Sequence, residues 1–389
     1  MMLAFEHVTL GQRVLFGTGR AGQYVATELD RLGASRPMVI AAEPERALAE
    51  AATADITAAL WWDEVIQHVP MEKAQAARAA ATEHDIDVLV CVGGGSTTGL
   101  AKAVALTTGI PIIAVPTTYA GSEATNVWGM TEERTKTTGV DEKVLPVAVV
   151  YDAELSKTLP VGLAVASGLN GLAHCVDSLW APRADPINQA LALEGARALN
   201  LALRGIVADP EDLSAREQAL YGCYLAAVSF ASAGSGLHHK ICHVLGGTFD
   251  LPHAQTHATV LPYVLAFNAP AVPELAGRLA AALGKPTVAS GEDSSAAAVA
   301  MLNGLPVAEP ECPAVAAVVA LRELYAVVNA PSRLADYGFT ATGVPEAIER
   351  VVKAAPASNP VAVTEENITA LLTDALTGTI PTVDYPVAR

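Results

Sequence analysis

The sequence predicts an α/β N-terminal dinucleotide-binding domain built on a mostly parallel sheet, followed by an all-α C-terminal domain, divided as 1–155 and 156–389. Three observations carry this. Short continuous apolar runs alternate with amphipathic stretches through the first ~150 residues. Two of those runs end in glycine-containing turns that open a helix. Beyond about residue 155 strand signals nearly vanish, and long Ala- and Leu-rich segments take over.

In chain order, "RVLFG" (13–17) and "PMVIAA" (37–42) bracket the helix-like "AGQYVATELDRLGA". "DVLVCVG" (87–93) precedes "STTGLAKAVALTTG", and "PIIAVP" (111–116) and "PVAVVYD" (146–152) follow. Apolar runs without alternation, separated by helices, describe parallel strands covered on both faces. Such a sheet binds ligands at the carboxyl ends of its strands. Further on, "PINQALALEGARALNLALRGIVA" (186–208) and "SAREQALYGCYLAAVSFASAG" (214–234) read as buried helices. The stretch 286–314, rich in Pro, Ala, Ser and Gly, reads as a surface insertion or long loop.

A chain of 389 residues is long enough for two cores, and 51% hydrophobic with 17% charged residues places it among globular proteins. The net charge of -17 argues against a nucleic-acid or anionic-membrane partner. It also means that an anionic substrate needs local cations. The five cysteines, at 91, 175, 223, 242 and 312, form no C-x-x-C pair and read as reduced thiols in the cytoplasm. The N-terminal "MMLAFEHVTLGQRVLFGTGR" lacks the pattern of a signal peptide, and no apolar run reaches the ~18 residues of a membrane span.

"GTGR" (17–20), opening with Gly17, is a strand-to-helix turn of a common kind. "VCVGGGSTTGLAK" (90–102) is more specific. Gly93, Gly94 and Gly95 let backbone amides approach a phosphate, the helix start adds positive potential, and Ser96 and Thr97 offer hydroxyls. No G-K-[ST] follows, so this is not a P-loop. "VPTTYAGSEATN" (115–126) ends another strand with Thr117, Thr118, Ser122 and Thr125, the expected far wall of the same cleft. Glu43, just after the second strand, is placed to bind an adenosine ribose, and Arg46 to accept a 2′-phosphate, so NADH and NADPH both remain open.

Six of the nine histidines fall in two short segments. "SGLNGLAHC" (167–175) sets Asn170 and His174 one helical turn apart, with Asp177 continuing the face. "LHHKICHVLGGTFDLPHAQTHA" (237–258) holds His238, His239, His243, His253 and His257. Core packing does not gather imidazoles in this way; a functional site does. Three imidazoles with a carboxylate suit Fe²⁺ or Zn²⁺. Asn170 offers only a neutral amide, and Asp177 reads as a supporting or surface carboxylate, so the expected site holds no metal.

These residues carry a resemblance. "GGGSTTGLAKA", "VPTTYAGSE", "SGLNGLAHCVDSLWAP" and "HHKICHVLGGTFDLPHAQTHATVLP" resemble the iron-containing alcohol dehydrogenase superfamily, an architecture shared with dehydroquinate synthase. Gly99, where the superfamily usually has Asp, and the shortened "TTYAGSE" are similar to its maleylacetate reductase branch. The resemblance implies NADH- or NADPH-dependent reduction of the maleylacetate C=C bond to give 3-oxoadipate, a step in aromatic-compound degradation. It implies that Gly93, Gly94, Gly95 and Ser96 hold the pyrophosphate, with Thr117, Thr118, Thr125 and Lys136 lining the cleft. Asn170, His174, His239 and His253 match the metal-ligand positions of metal-dependent relatives, and Asn170 is typical of a branch regarded as metal-free. His243 is expected near the nicotinamide and, with His253, as a leading catalytic group; His174 and His239 would shape the anion site. Lys240 or Arg183 would help hold a dicarboxylate, and a homodimer is expected. The rival readings are a metal-dependent alcohol or polyol dehydrogenase, a lyase resembling dehydroquinate synthase, and a nucleotide-binding protein without catalysis.

Overall fold

Apolar side chains on both sides of every central strand require a sheet covered on both faces. The computed structural model describes residues 4–67, 69–132, 135–285 and 312–381. In it β1 (Arg13–Phe16), β2 (Pro37–Ile40), β3 (Leu60–Trp62), β4 (Val88–Gly93), β5 (Ile112–Pro116) and β8 (Ala148–Tyr151) form one sheet. Its order is β1-β8-β5-β4-β2-β3, with every pair parallel. Alternate residues sort to opposite faces. Leu89 and Cys91 pack with Met38 and Ile112 beneath α3 (Met71–Glu83) and α4 (Gly95–Thr108). Val88, Val90 and Val92 pack with Val39 and Ile113 beneath α1 (Ala21–Leu32) and α2 (Arg46–Ala52).

The sequence reading drew no element from 43–86, where α2, β3 and α3 lie, nor the antiparallel hairpin β6 (Val127–Glu132) and β7 (Thr135–Val140). In the hairpin Val127, Trp128 and Met130 are interrupted by Gly129 and followed by a polar β7, and β3 has only three residues, so neither makes a continuous hydrophobic run.

Among the described residues, helices alone follow from α5 onward: α5 (Val161–Ser178), α6 (Pro186–Ala208), α7 (Leu213–Ala233), α8 (Leu237–Phe249), α9 (His253–Asn268) and α10 (Pro273–Ala282). Three more follow at Pro313–Val328, Val344–Ala354 and Glu365–Thr377. Every residue of α5 from Ala164 through Ser178 is buried, which is why it is apolar nearly all round. Asp185 and Asp212 cap α6 and α7 by accepting from first-turn amides. Where α6 and α7 touch, a Cβ on Gly222 would lie 2.9 Å from Leu199, so only glycine permits that approach. Of the expected insertion, 286–311 lies outside the described residues, while Pro313 and Ala314 belong to a helix, Pro being favoured in a first turn. Among the described residues no single helix is long and apolar enough to cross a membrane.

One buried cation joins the sheet to the loop beyond β5. The Lys102 ammonium, on α4, donates to the carbonyls of Ser122 (2.6 Å), Thr125 (2.8 Å) and Val127 (2.8 Å) and to Thr125 Oγ1 (3.0 Å). Burial drives its pKa down to about 7, with Glu123 and Cys91 opposing. Replacing it leaves several buried oxygens without donors. Lys102→Met should therefore cost at least about 3 kcal/mol of unfolding free energy in urea titrations. A loss below about 1 kcal/mol would show that the joint is dispensable.

Candidate active site

The phosphate cradle is built from backbone. Gly93 ends β4 at φ 153°, and a Cβ there would collide with Thr97 Oγ1 and the Glu45 carboxylate. Gly94 caps α4, Gly95 begins it and Ser96 follows, so the unpaired amides of the first turn carry the helix's positive end. Thr118 closes over Gly94, where a Cβ would meet its methyl at 3.0 Å.

Several expected cleft residues take other places. The acid at the turn is Glu45 rather than Glu43: Thr117 Oγ1 donates to Glu45 Oε1 at 2.8 Å, and Thr97 Oγ1 to Oε2 at 3.5 Å. Glu43, Pro44 and Glu45 form a 3₁₀ turn that leaves Glu43 exposed. Burial pushes the Glu45 pKa up, against bonds from Thr117, Thr97 and the Gly94 amide. Arg46 turns away, bonding Glu50 at 2.8 Å and lying 3.7 Å over the Trp61 ring. The Thr125 hydroxyl is buried against Lys102 and the Ser122 carbonyl, so it braces the wall instead of lining the cleft. Gly17 follows β1, three strands away from the glycine turn, and a Cβ on it would strike the Tyr24 ring. Lys136 pairs with Thr131 in the hairpin; its side chain lies outside the described part.

The histidines converge where α5, α8 and α9 meet. The His174 and His239 rings stack 4.8 Å apart at 16°, with Phe230 of α7 against both. His257 lies 4.3 Å from His253, 4.8 Å from His239 and 6.4 Å from His243, ring to ring. His238 Nε2 and His257 Nδ1 are 3.1 Å apart. Sequence reasoning counted His238 and His257 but gave them no role; the i, i+4 spacing from His253 was the signal for His257. His174, His238, His239 and His257 are buried, whereas His243 and His253 are exposed at the cluster's rim.

Asp177 supports this arrangement from below and is not on the surface. It accepts from the Gly236 amide (2.9 Å), from the amides of His238 and His239 (both 3.4 Å) and from His239 Nδ1 (2.8 Å). A Cβ on Gly236 would collide with this carboxylate. Burial pushes Asp177 up to about 7, opposed by those amides and by Lys240. Burial lowers the imidazoles: His174 to about 4, with His243 adding to it, His238 to about 3, and His239 and His257 well below the usual value.

The cluster presents neutral donors, and His174 Nδ1, His238 Nδ1, His239 Nε2 and His257 Nε2 are buried without a hydrogen-bond partner. Asn170 brings a neutral amide whose Oδ1 has no partner. Ligand atoms of His238, His239 and His257 do lie within 4.8 Å of one another. All three are neutral, the form in which an imidazole binds a metal, and His238 Nε2 is engaged by His257. Asp177, the carboxylate beneath them, accepts from His239 Nδ1 and three amides, the arrangement by which a carboxylate orients a metal-binding imidazole.

An open cleft of about 950 Å³ borders the cluster. His243, Lys240 and Arg183 line it, together with Phe230, Asn126 and the hairpin's Thr138. Two of the expected carboxylate-binding cations thus share a cleft with one expected catalytic histidine.

Known proteins are similar to this chain. A family model described as iron-containing alcohol dehydrogenase matches residues 11–153, and one described as the C-terminal part of the Fe-containing alcohol dehydrogenase family matches residues 164–376. The chain is 42% identical to a maleylacetate reductase of Sphingobium indicum, over 97% of this chain and 99% of that one. It is similar to the crystal structure of an iron-containing alcohol dehydrogenase from Corynebacterium glutamicum, with a TM-score of 0.90 and 56% identity over 98% of this chain and 99% of that one. It is also similar to the crystal structure of a maleylacetate reductase from Agrobacterium tumefaciens, with a TM-score of 0.86 and 37% identity over 98% and 100%.

The buried imidazoles set the pH dependence of folding. Each has a folded pKa below the unfolded 6.5, so as pH falls from 6.5 the unfolded chain takes up protons that the folded chain refuses. Each ring then costs about 2 kcal/mol at pH 5. Asp177, raised from 3.8 to about 7, works the other way and returns on the order of 3 kcal/mol between pH 7 and pH 5. Four rings outweigh one carboxyl. Thermal and urea unfolding should show a markedly less stable protein at pH 5 than at pH 7; equal stability would mean that the rings are not held neutral.

Proposed function

We propose a function from one premise: this chain belongs to the iron-containing alcohol dehydrogenase family. It is a maleylacetate reductase, an oxidoreductase that uses NAD(P)H and a proton to convert maleylacetate to 3-oxoadipate. The observation that carries this reading is the cluster of neutral imidazoles, with an amide at Asn170, bordering a cleft that holds Arg183 and Lys240. The relatives named maleylacetate reductase support it.

In this reading residues 1–155 bind the dinucleotide and 156–389 hold the catalytic groups. Gly93, Gly94, Gly95 and Ser96 cradle the pyrophosphate at the start of α4, where it competes with Glu45 for Thr117 and the Gly94 amide. When bound, the dihydronicotinamide supplies a hydride to the carbon–carbon double bond conjugated with the ketone. Arg183 and Lys240 offset the carboxylate charge of the substrate against the acidic chain. Asp177 accepts the Nδ1 proton of His239 and so fixes its ring. His243 and His253, at the exposed rim, exchange protons with water and return one to the substrate carbon. In this reading no step draws on a metal, since Asn170 offers an amide in place of a charged ligand. A homodimer is part of the proposal: exposed Phe5, Val8, Val127 and Val140 form an apolar rim around the cleft.

A second reading, a metal-dependent alcohol or polyol dehydrogenase, draws on the name of the Corynebacterium structure. One experiment separates the two. Purified protein should oxidise NADH or NADPH on addition of maleylacetate, with an unchanged rate after dialysis against EDTA. No turnover sinks the substrate assignment; turnover abolished by EDTA and restored by Fe²⁺ or Zn²⁺ sinks the metal-free mechanism. Light scattering should give twice the 40.1 kDa chain mass, and the mass of a single chain would overturn the dimer.

A further inference from the structure

Arg183 is held more firmly than an exposed arginine ordinarily is. It stands in the turn between α5 and α6, and its backbone amide donates to the Ala233 carbonyl at 2.9 Å. Its Nε donates to the Ser232 carbonyl at 3.0 Å and its Nη2 to the Ala231 carbonyl at 3.3 Å. These are last-turn carbonyls of α7, the negative end of that helix. Gly234, at φ 89°, lies directly under the guanidinium: a Cβ there would be 3.4 Å from both Nη1 and Nη2. One edge of the fork is therefore fixed on α7. The opposite edge, with Nη1 and the second Nη2 proton, takes no part in those bonds, and Arg183 lines the cleft that contains His243.

The other charges in that cleft are already engaged or differently placed. Lys240 is near enough to Asp177 to lower the pKa of that buried carboxyl, so part of its charge is directed downward. Asp185 accepts from His7 at 2.9 Å and caps α6, while Glu6 is exposed. A planar guanidinium with one edge anchored and the other presented is arranged for a carboxylate, which it meets with two parallel N–H···O bonds.

We propose that Arg183 is a specificity-determining residue of this cleft, binding the carboxylate on the saturated arm of a dicarboxylate substrate and so selecting against monocarboxylates. This rests on the assignment of maleylacetate as substrate. The enone end, which receives the hydride, belongs beside His243, and the carboxylate beyond the ketone then points to Arg183. No bond is made or broken by Arg183; it acts through binding alone.

The test compares maleylacetate with 4-oxopent-2-enoate, the enone that lacks this second carboxylate, in wild type and Arg183→Met. The variant should raise KM for maleylacetate about 30- to 100-fold while kcat changes less than about threefold. For the monocarboxylate, KM should move less than about threefold, because the contact is missing already. An equal rise for both substrates, or none for maleylacetate, overturns the proposal and leaves Arg183 as a cap of α7. Arg183→Lys, which keeps the charge but not the fork, covers the case in which the Met variant does not fold, and should recover only part of the affinity. Calorimetric titration of the wild type with adipate and pentanoate reads the same contact without turnover. Adipate should bind at least tenfold tighter, and equal affinities overturn the assignment. A wild type that reduces no maleylacetate defeats the substrate assignment, a result that the adipate titration distinguishes from failure of Arg183.

Discussion

A single buried carboxylate, Asp177, sets the geometry on which the rest of the site depends. It sits near the end of α5 and closes the start of α8, where Gly236 and the amides of His238 and His239 would otherwise face the core without acceptors. The helix start in turn favours a negative charge at that point. The same carboxylate receives His239 Nδ1, so the register of α5 against α8 and the orientation of one imidazole are decided together. Gly236 follows from this, since any side chain there would displace the carboxylate.

With α8 so placed, the histidines divide by exposure. Those facing inward stack on each other and on Phe230 and stay neutral, because neighbouring imidazoles cannot all carry charge in a buried space. Those at the rim, His243 and His253, meet solvent. In the proposed function the buried set supplies fixed hydrogen-bonding atoms while the rim set supplies protons. The division comes from the fold, since His239 and His243 share one helix and differ only in which end of the cluster they reach.

The strands and helices that carry the site were legible because continuous apolar runs and helical spacing are properties of the chain alone. β4 with its glycine turn and the Asn170 and His174 pair are examples. The hairpin at 127–140 was not legible, because its apolar residues are few and broken by Gly129 and a polar second strand. Nor was the choice between Glu43 and Glu45, which depends on the direction a Pro44 turn takes once β2 is paired. Asp177 was legible only as a carboxylate on the right face. Its burial required the position of α8, a contact 59 residues away along the chain. Lys102 likewise read as a residue of helix α4, and its acceptors come from a loop that no local pattern brings there.

The amide at Asn170 is best understood against that buried carboxylate. Asn170, His174 and Asp177 share one face of α5, and all three are buried. Asp177 is already compensated by a helix start and an imidazole. A second carboxylate at 170 would face only neutral rings, and its charge in that environment would cost several kcal/mol unless a cation lay between. An amide of the same shape keeps the packing and removes the demand for a cation. Under the proposed function, within a family whose description names iron, this one-atom difference leaves the developing negative charge to the imidazoles, while the guanidinium serves the binding of a substrate that carries two carboxylates.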